Sequence, residues 1–335
     1  MKTVLITGAS GFIGSFLAEE GINRNYKVFA AIRKSSSRQY LQDTSVNILE
    51  FDFSSEKNLI DSLNDCKERG IHFDYIIHNA GVTKAQKKGD FYRVNYLQTC
   101  YFVEALRKTA MIPEKFILIS SLAAYGPGSP VTMEPVRLDQ VPNPVELYGK
   151  SKLEAEKFMQ SQIDFPWIII RPTGVYGPRE KDYFIFFQTI NRGLETYIGS
   201  KKQILTFIYV KDLVKLIFAA VESQIVHKGY FAADGKEYDS VEFSSIAKKH
   251  LGKRTIKIVV PKGLVKQIAY SLEKICGLWG TIPTLNSDKY QVLASSNWRC
   301  ETRPLEEDFG FVAEYDLDKG VKETIQWYRK EKWLS

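Results

Sequence analysis

The chain has 335 residues, of which 44% are hydrophobic and 25% charged, so it can bury a large core and is not a disordered chain. Its net charge is +7 with a pI near 9.0, but Lys and Arg are spread along the chain without any nucleic-acid motif, and nucleic acid is not an expected partner. No apolar run reaches eighteen residues, and four cysteines and four histidines lie scattered without ligand spacing; this excludes a transmembrane segment, a disulfide framework and a metal site, and makes a reducing cytoplasm the expected compartment.

The opening "MKTVLITGAS" places one lysine before a short apolar run that ends in a glycine turn, which reads as a first strand over Thr3–Thr7 and not as a secretion signal. Further strands are expected over 27–33, 46–50, 75–78, 116–120 and 167–171, with helical patterns over 11–23, 57–67, 91–108 and 147–162 between them. Apolar strands alternating with amphipathic helices predict an α/β protein with a doubly wound parallel sheet, whose ligands sit at the carboxyl ends of the strands. After residue 171 the rhythm breaks at "RPTGVYGPRE". A helix over 182–190, the stretch "LTFIYVKDLVKLIFAAVE" and one more core strand at 229–233 follow, and the remainder is mostly helical. The expected division is a dinucleotide-binding domain of residues 1–176, to which 207–233 return, and a smaller, mostly helical substrate domain built from 177–206 and 234–335. Within the latter, Leu264, Val265, Ile268, Ala269, Leu272, Ile275, Cys276 and Trp279 form a helical stripe. That stripe reads as core, with a peripheral membrane contact as the lesser alternative.

The first strand runs into "TGASGFIGSF", with Gly8, Gly11 and Gly14 ahead of a helix. Such a turn brings backbone N–H groups, here of Ser10, Phe12 and Ile13, close to a pyrophosphate, as in the Rossmann fold. An NAD site places an acid at the end of the second strand; here stand Arg33, Lys34 and three serines. A carboxylate repels a 2′-phosphate and Arg binds one, so NADP is preferred and NAD is the alternative. Asp52 and Phe53 end the third strand, where the adenine would lie. Tyr148 and Lys152 are four residues apart and share one helix face. Alone, such a pair means only a solvated surface.

"HNAG" at 78–81, "ISSLAAYG", "YGKSK" and "RPTGVYGP" follow the glycine turn in order. With these motifs the chain resembles the extended short-chain dehydrogenases/reductases, the NAD-dependent epimerase/dehydratase family, and its ending "IQWYRKEKWL" is similar to 3β-hydroxysteroid dehydrogenases and dihydroflavonol reductases. The resemblance implies that Tyr148 is the general acid/base, that Lys152 supports it and holds the nicotinamide ribose, that Ser121 binds the reacting oxygen, and that Asn95 completes the catalytic set. It also implies cofactor contacts from Asn79, Ala80, Gly81 and Pro172, substrate contacts from Ser121, Thr173, Gly174 and Tyr176, and a homodimer through 91–108 and 147–162. A free phenol titrates near 10, and the ammonium beside Tyr148 is expected to favour its phenolate.

Several positions depart from nucleotide-sugar members. Gly174 stands where they carry Asn, Leu205 where they carry Arg, and Leu122 and Ala123 where dehydratases carry acids. Lys201, Lys202 or Arg179 would have to compensate. Tyr176, Tyr183, Phe184, Phe186 and Phe187 suit an apolar carbonyl or alcohol better than a sugar diphosphate. The expected function is therefore an NADP-dependent oxidoreductase acting on a small, relatively apolar molecule. The alternatives are a nucleotide-sugar 4-epimerase holding NAD tightly, and a non-catalytic NADP-sensing regulator, which the intact Ser121, Tyr148 and Lys152 disfavour.

Overall fold

Seven strands pair in parallel into one sheet in the computed structural model, which describes residues 1–199, 203–278, 281, 283 and 285–334. The first stretch runs β1 (Thr3–Thr7), α1 (Phe12–Asn23), β2 (Lys27–Ile32), β3 (Asn47–Glu50), α2 (Glu56–Glu68) and β4 (Tyr75–His78). Then come α3 (Lys88–Tyr92), α4 (Gln98–Lys108), β5 (Lys115–Ile119), α5 (Leu147–Ser161) and β6 (Trp167–Pro172). The chain leaves the sheet through β7 (Gly174–Tyr176), α6 (Asp182–Asn191), β8 (Leu194–Ile198), β9 (Ile204–Leu205) and β10 (Phe207–Tyr209). It returns through α7 (Val210–Glu222) and β11 (Lys228–Ala232). The final stretch is β12 (Tyr238–Asp239), α8 (Ser240–Leu251), β13 (Ile256–Val260), α9 (Lys262–Leu278), α10 (Ser287–Ala294), α11 (Arg303–Phe309) and α12 (Leu317–Lys330).

The strand order is β11-β6-β5-β4-β1-β2-β3, so the direction of winding reverses between β1 and β4. In such a sheet the ligand crevice opens at the carboxyl ends of those two strands. Side chains alternate between the two faces, and both faces are dry. One carries Val4, Ile6, Val28 and Ile117 against Leu17 of α1 and Leu213, Leu216 and Ile217 of α7. The other carries Leu5, Phe29, Ile76 and Leu118 against Leu59 of α2, Phe102 of α4 and Met159 of α5. This is the doubly wound sheet that the apolar strands predict.

The second lobe has its own aromatic core, in which Phe187, Phe207, Tyr238, Phe243 and Tyr328 are buried. Three small two-stranded ribbons, β7–β10, β9–β12 and β8–β13, lie where mostly helix is expected. Several of their strands are only two or three residues long, too short for alternation to show. A second difference concerns the helix expected over 91–108. It is interrupted by a π-helical turn, Arg93–Leu97, between α3 and α4. The extra residue in that turn rotates the following helix and marks a place where geometry was favoured over regular hydrogen bonding. A third concerns the stripe of α9: Val265 and Ala269 are buried, but Leu264, Ile268, Leu272 and Ile275 are exposed. Trp279 of that stripe lies outside the described residues, as do Lys201 and Lys202. No described helix is long and apolar enough to cross a membrane.

Candidate active site

The glycine turn after β1 has the shape a dinucleotide needs. Gly8 has φ +66°, a left-handed conformation that disfavours side chains, and a Cβ there would lie 2.9 Å from the Ala80 backbone. A Cβ on Gly14 would overlap the Gly8 carbonyl oxygen, so α1 packs directly beneath the turn, and Gly11 N–H donates to that same carbonyl at 3.0 Å. Ser10, Phe12 and Ile13 are half-buried along this turn, with Phe12 and Ile13 leaning on the sheet core. Across the crevice Ala80 N–H donates to Thr7 Oγ1 (3.1 Å), and Asn79 Nδ2 reaches the Gly8 carbonyl (3.5 Å). His78 shares hydrogen bonds with Thr7 Oγ1 (2.9 Å) and Thr99 Oγ1 (3.1 Å), and burial pushes its pKa down to about 3, so it is a neutral strut between β1, β4 and α4. Pro172 is buried at the end of β6.

Arg33 and Lys34 are exposed just past β2, and neither cation has a side-chain partner among the described residues. Asp52 is exposed at the end of β3. Its carboxylate accepts from Ser54 N–H (2.9 Å) and Asn58 Nδ2 (2.8 Å), and these bonds hold its pKa below the ordinary value. The Phe53 side chain, expected to meet the cofactor, instead sits in the core between Phe51 and Phe102.

Tyr148 and Lys152 lie on α5, and Ser121 precedes a short 3-10 turn, Leu122–Ala124, after β5. A Cβ on Gly149 would overlap the Ala123 carbonyl oxygen, so the helix can approach this turn only because residue 149 is glycine. That approach sets the start of α5, with Tyr148, against the turn that carries Ser121. Ser121 Oγ accepts from Ala123 N–H at 3.1 Å, which fixes its rotamer. Lys152 is buried and donates to the Ile119 carbonyl at 2.8 Å. Burial lowers its pKa to about 8, against the pull of Glu156. The expected depression of the Tyr148 pKa is not what this arrangement gives. Burial of the phenol dominates and pushes it above its ordinary value, with Ser121 opposing and Glu146 adding to the rise.

Asn95 is a correction of a different kind. Its Oδ1 accepts from Val82 N–H (2.8 Å), and its Nδ2 donates to the Val82 carbonyl (3.0 Å) and Ser151 Oγ (2.9 Å). It is 1% exposed, so its polar atoms are committed to pinning the segment after β4 onto α5. It stands close to the site all the same. A Cβ on Gly81 would lie 2.9 Å from Asn95 Oδ1 and 3.2 Å from Lys152 Nζ.

Sequence reading overlooked Glu146. It precedes α5 and accepts from Gly149 N–H at 2.8 Å, capping the helix that carries Tyr148. Burial raises its pKa from 4.5 to about 7. Between those values the native state binds more protons here than the unfolded chain does, so this carboxyl makes stability fall as pH rises through that window. Glu146→Gln keeps the cap acceptor and removes the titration. Denaturant melts at a series of pH values are expected to show a shallower loss of stability in the variant; identical profiles would remove Glu146 as the cause.

On the substrate side, Thr173 donates to the Ala232 carbonyl (3.2 Å) at the mouth of the crevice. Tyr176, expected to touch substrate, is fully buried in the second-lobe core with its hydroxyl donating to the Asp316 carbonyl. Phe184, Phe186 and Phe187 are likewise packing residues, set against Tyr328 and Trp333, against Phe243, and against Phe243 and Tyr328. Tyr183 differs. Glu180 caps α6 by accepting from the N–H groups of Asp182 (2.7 Å) and Tyr183 (2.5 Å). The Tyr183 hydroxyl then lies over Gly174, where a Cβ would overlap it and meet the Phe207 ring at 2.9 Å. Leu205 packs against the same aromatic core. Arg179 is held elsewhere: it lies between the rings of Phe16 (4.3 Å) and Tyr40 (4.6 Å) and pairs with Glu19 (2.6 Å) and Ser15 (2.9 Å).

A glycine turn at the switch point of a parallel sheet, facing a helix with Tyr and Lys one turn apart, is the layout of a short-chain dehydrogenase/reductase. The chain belongs to the NAD dependent epimerase/dehydratase family, whose model matches residues 4–231. It is an NAD(P)-dependent oxidoreductase of the extended type. Among its relatives, a ceramide reductase of Caulobacter vibrioides is 25% identical over 334 residues, covering 99% of this chain and 96% of that protein. A decarboxylating sterol-4-alpha-carboxylate 3-dehydrogenase of Dictyostelium discoideum is 23% identical over 337 residues, covering 96% and 100%. A solved UDP-glucuronic acid 4-epimerase of Bacillus cereus, in complex with NAD, shares the fold with a TM-score of 0.76 at 20% identity, covering 98% of this chain and 99% of that one.

Proposed function

We propose that the protein reduces an apolar ketone at the expense of NADPH. The observation that carries the substrate class is the closed space at Gly174. Its neighbours are the Tyr183 hydroxyl and the Phe207 ring, which leave no room for an asparagine to hold a sugar diphosphate. Relatives named as acting on a ceramide and on a sterol carboxylate point the same way.

The glycine turn of Gly8, Gly11 and Gly14 would take the pyrophosphate, Asn79 to Gly81 would line the nicotinamide side, and Lys152 would reach the ribose. The nicotinamide, when bound, supplies the hydride. Tyr148 holds the proton that the substrate oxygen must gain. As a phenol it is neutral at pH 7, which suits a proton donor to the carbonyl oxygen. Ser121, in the turn against which α5 packs, donates to the same oxygen as negative charge develops there. Lys152 stays mostly protonated below about pH 8 and steadies the phenolate left behind. Asn95 positions the loop and α5 and takes no proton. The dimer expected through α4 and α5, and the division into dinucleotide and substrate domains, belong to the same reading.

NADPH preference rests on Arg33 and Lys34, two free cations past β2 without a carboxylate among them. Titration with NADPH and NADH is expected to favour NADPH. Arg33→Asp should move the preference toward NADH by roughly 10–100-fold, the worth of one charge-assisted contact to phosphate. NAD retained tightly through purification would instead make a nucleotide-sugar 4-epimerase the better reading.

A further inference from the structure

Outside the site, one exposed surface of α9 is apolar. In α9 the residues Leu264, Ile268 and Ile275 are 48%, 41% and 55% exposed, while Val265 and Ala269 on the neighbouring flank are buried. At 100° per residue the three exposed positions fall within a narrow arc, so they make one ridge and not scattered contacts. The strand that leads into α9 continues the pattern. β13 pairs in parallel with β8, with Ile256 opposite Leu194 and Ile258 opposite Thr196. Alternation puts Ile256, Ile258 and Leu194 on one face, and they are 70%, 40% and 38% exposed. On the other face Glu195 of β8 is buried and pairs with Lys248 of α8, whereas Val259 of β13 is 49% exposed there, so β13 is open on both faces. Only Pro261 separates the ribbon from the helix. Aliphatic side chains at the edge of a sheet and along a helix flank are normally covered or replaced by charge.

The charge around this surface says what covers it. Residues 253–276 carry six basic side chains, Lys253, Arg254, Lys257, Lys262, Lys266 and Lys274, against one acid, Glu273. Glu273 is turned to internal work, accepting from Ser287 and pairing with Lys88 at 3.2 Å. A helix with an aliphatic ridge on one side and Lys262, Lys266 and Lys274 on its other sides, in a segment that is basic overall, is the pattern of one that lies in the headgroup region of an anionic bilayer. The location fits as well. α9 packs on α10, and its Glu273 pairs with Lys88 of α3, a helix that packs against α5. The ridge therefore belongs to a hairpin joined through α3 to the helix that carries Tyr148.

We propose that the β8–β13 ribbon and α9 form a docking face for an anionic membrane surface, holding the site beside the lipid phase. The proposal goes beyond the reductase reading, and its test reads binding alone, so either can fail without the other. The full chain is sedimented with phosphatidylcholine vesicles, with and without phosphatidylglycerol, at low and high salt. The expected result is binding to the phosphatidylglycerol vesicles that weakens with salt. Leu264→Glu/Ile268→Glu/Ile275→Glu should reduce that binding about tenfold or more while leaving the NADPH titration unchanged. Wild-type protein that stays in the supernatant with both vesicles overturns the proposal. So does a variant that binds as wild type. A wild-type dimer in solution that the triple variant dissolves also overturns it, because a second copy would then be the cover. Should the triple variant misfold, Lys266→Glu/Lys274→Glu at exposed positions gives the same reading from the charge side.

Discussion

Tyr148→Phe is expected to lower turnover of the ketone substrate by about 10²–10⁴-fold, the usual worth of a positioned general acid. NADPH affinity should stay close to that of the wild type, because the ring and its packing remain. The measurement is single-turnover oxidation of bound NADPH beside an equilibrium titration of the cofactor. Wild-type turnover in the variant would remove Tyr148 from the chemistry. Loss of cofactor binding together with turnover would mean that the hydroxyl holds the fold of the crevice. Ser121→Ala provides the companion experiment. It removes the hydroxyl proposed to donate to the substrate oxygen, and it should cost turnover without shifting cofactor affinity.

The second large effect is expected on stability. Glu156 lies on α5 one turn after Lys152 and pairs with Arg171 of β6 at 2.8 Å, both side chains at most 2% exposed. Ser120 donates to the same carboxylate, and the Arg171 guanidinium also faces the Tyr125 ring at 4.9 Å. Breaking such a pair from one side leaves a buried charge uncompensated, so Glu156→Ala is expected to cost about 3–5 kcal/mol of unfolding free energy. Replacing both partners, as in Glu156→Met/Arg171→Met, should restore much of that loss, since buried apolar pairs of similar volume are often neutral. Urea melts of the two variants settle the matter. Equal destabilisation of single and double variants would mean that the packing of Arg171 against Tyr125 and Phe231, and not the charge pair, is what matters.

The sheet was readable because most of its strands are buried on both faces. Val4 to Thr7 are fully buried, and the run "TVLIT" between a lysine and a glycine turn has few other ways to fold. Gly8, Gly11 and Gly14 were readable for a related reason: the strand and helix around them define the turn. Tyr148 and Lys152 share α5, and Ser121 stands in the turn that Gly149 packs against. What escaped is held by atoms far apart in sequence. Tyr176 looks like a pocket residue in "GVYGP", yet its surroundings come from Phe207, Tyr209 and Asp316. Asn95 reads as one member of a catalytic set, but Val82 and Ser151 use its polar atoms. The π-helical turn around it leaves no mark in periodicity, because a single added residue is within the tolerance of an amphipathic pattern. The stripe of α9 reads as core because spacing reports which residues share a face, not whether anything covers that face.

The last strand of the large sheet, β11, pairs with β6 only after the chain has travelled through β7, α6, β8, β9, β10 and α7. The helix α7 supplies a whole side of the core on the way, through Leu213, Leu216, Ile217 and Phe218. The half that carries the glycine turn is thus stitched shut by residues that come after the β7–β10 excursion. A fragment ending at residue 176 would expose β6 as a raw edge and strip that side of the sheet. Shuffling between relatives cannot exchange the nucleotide-binding half as one contiguous cassette. Selection for a new substrate must work inside a single interlocked chain, by changing side chains such as those around Gly174, rather than by swapping modules.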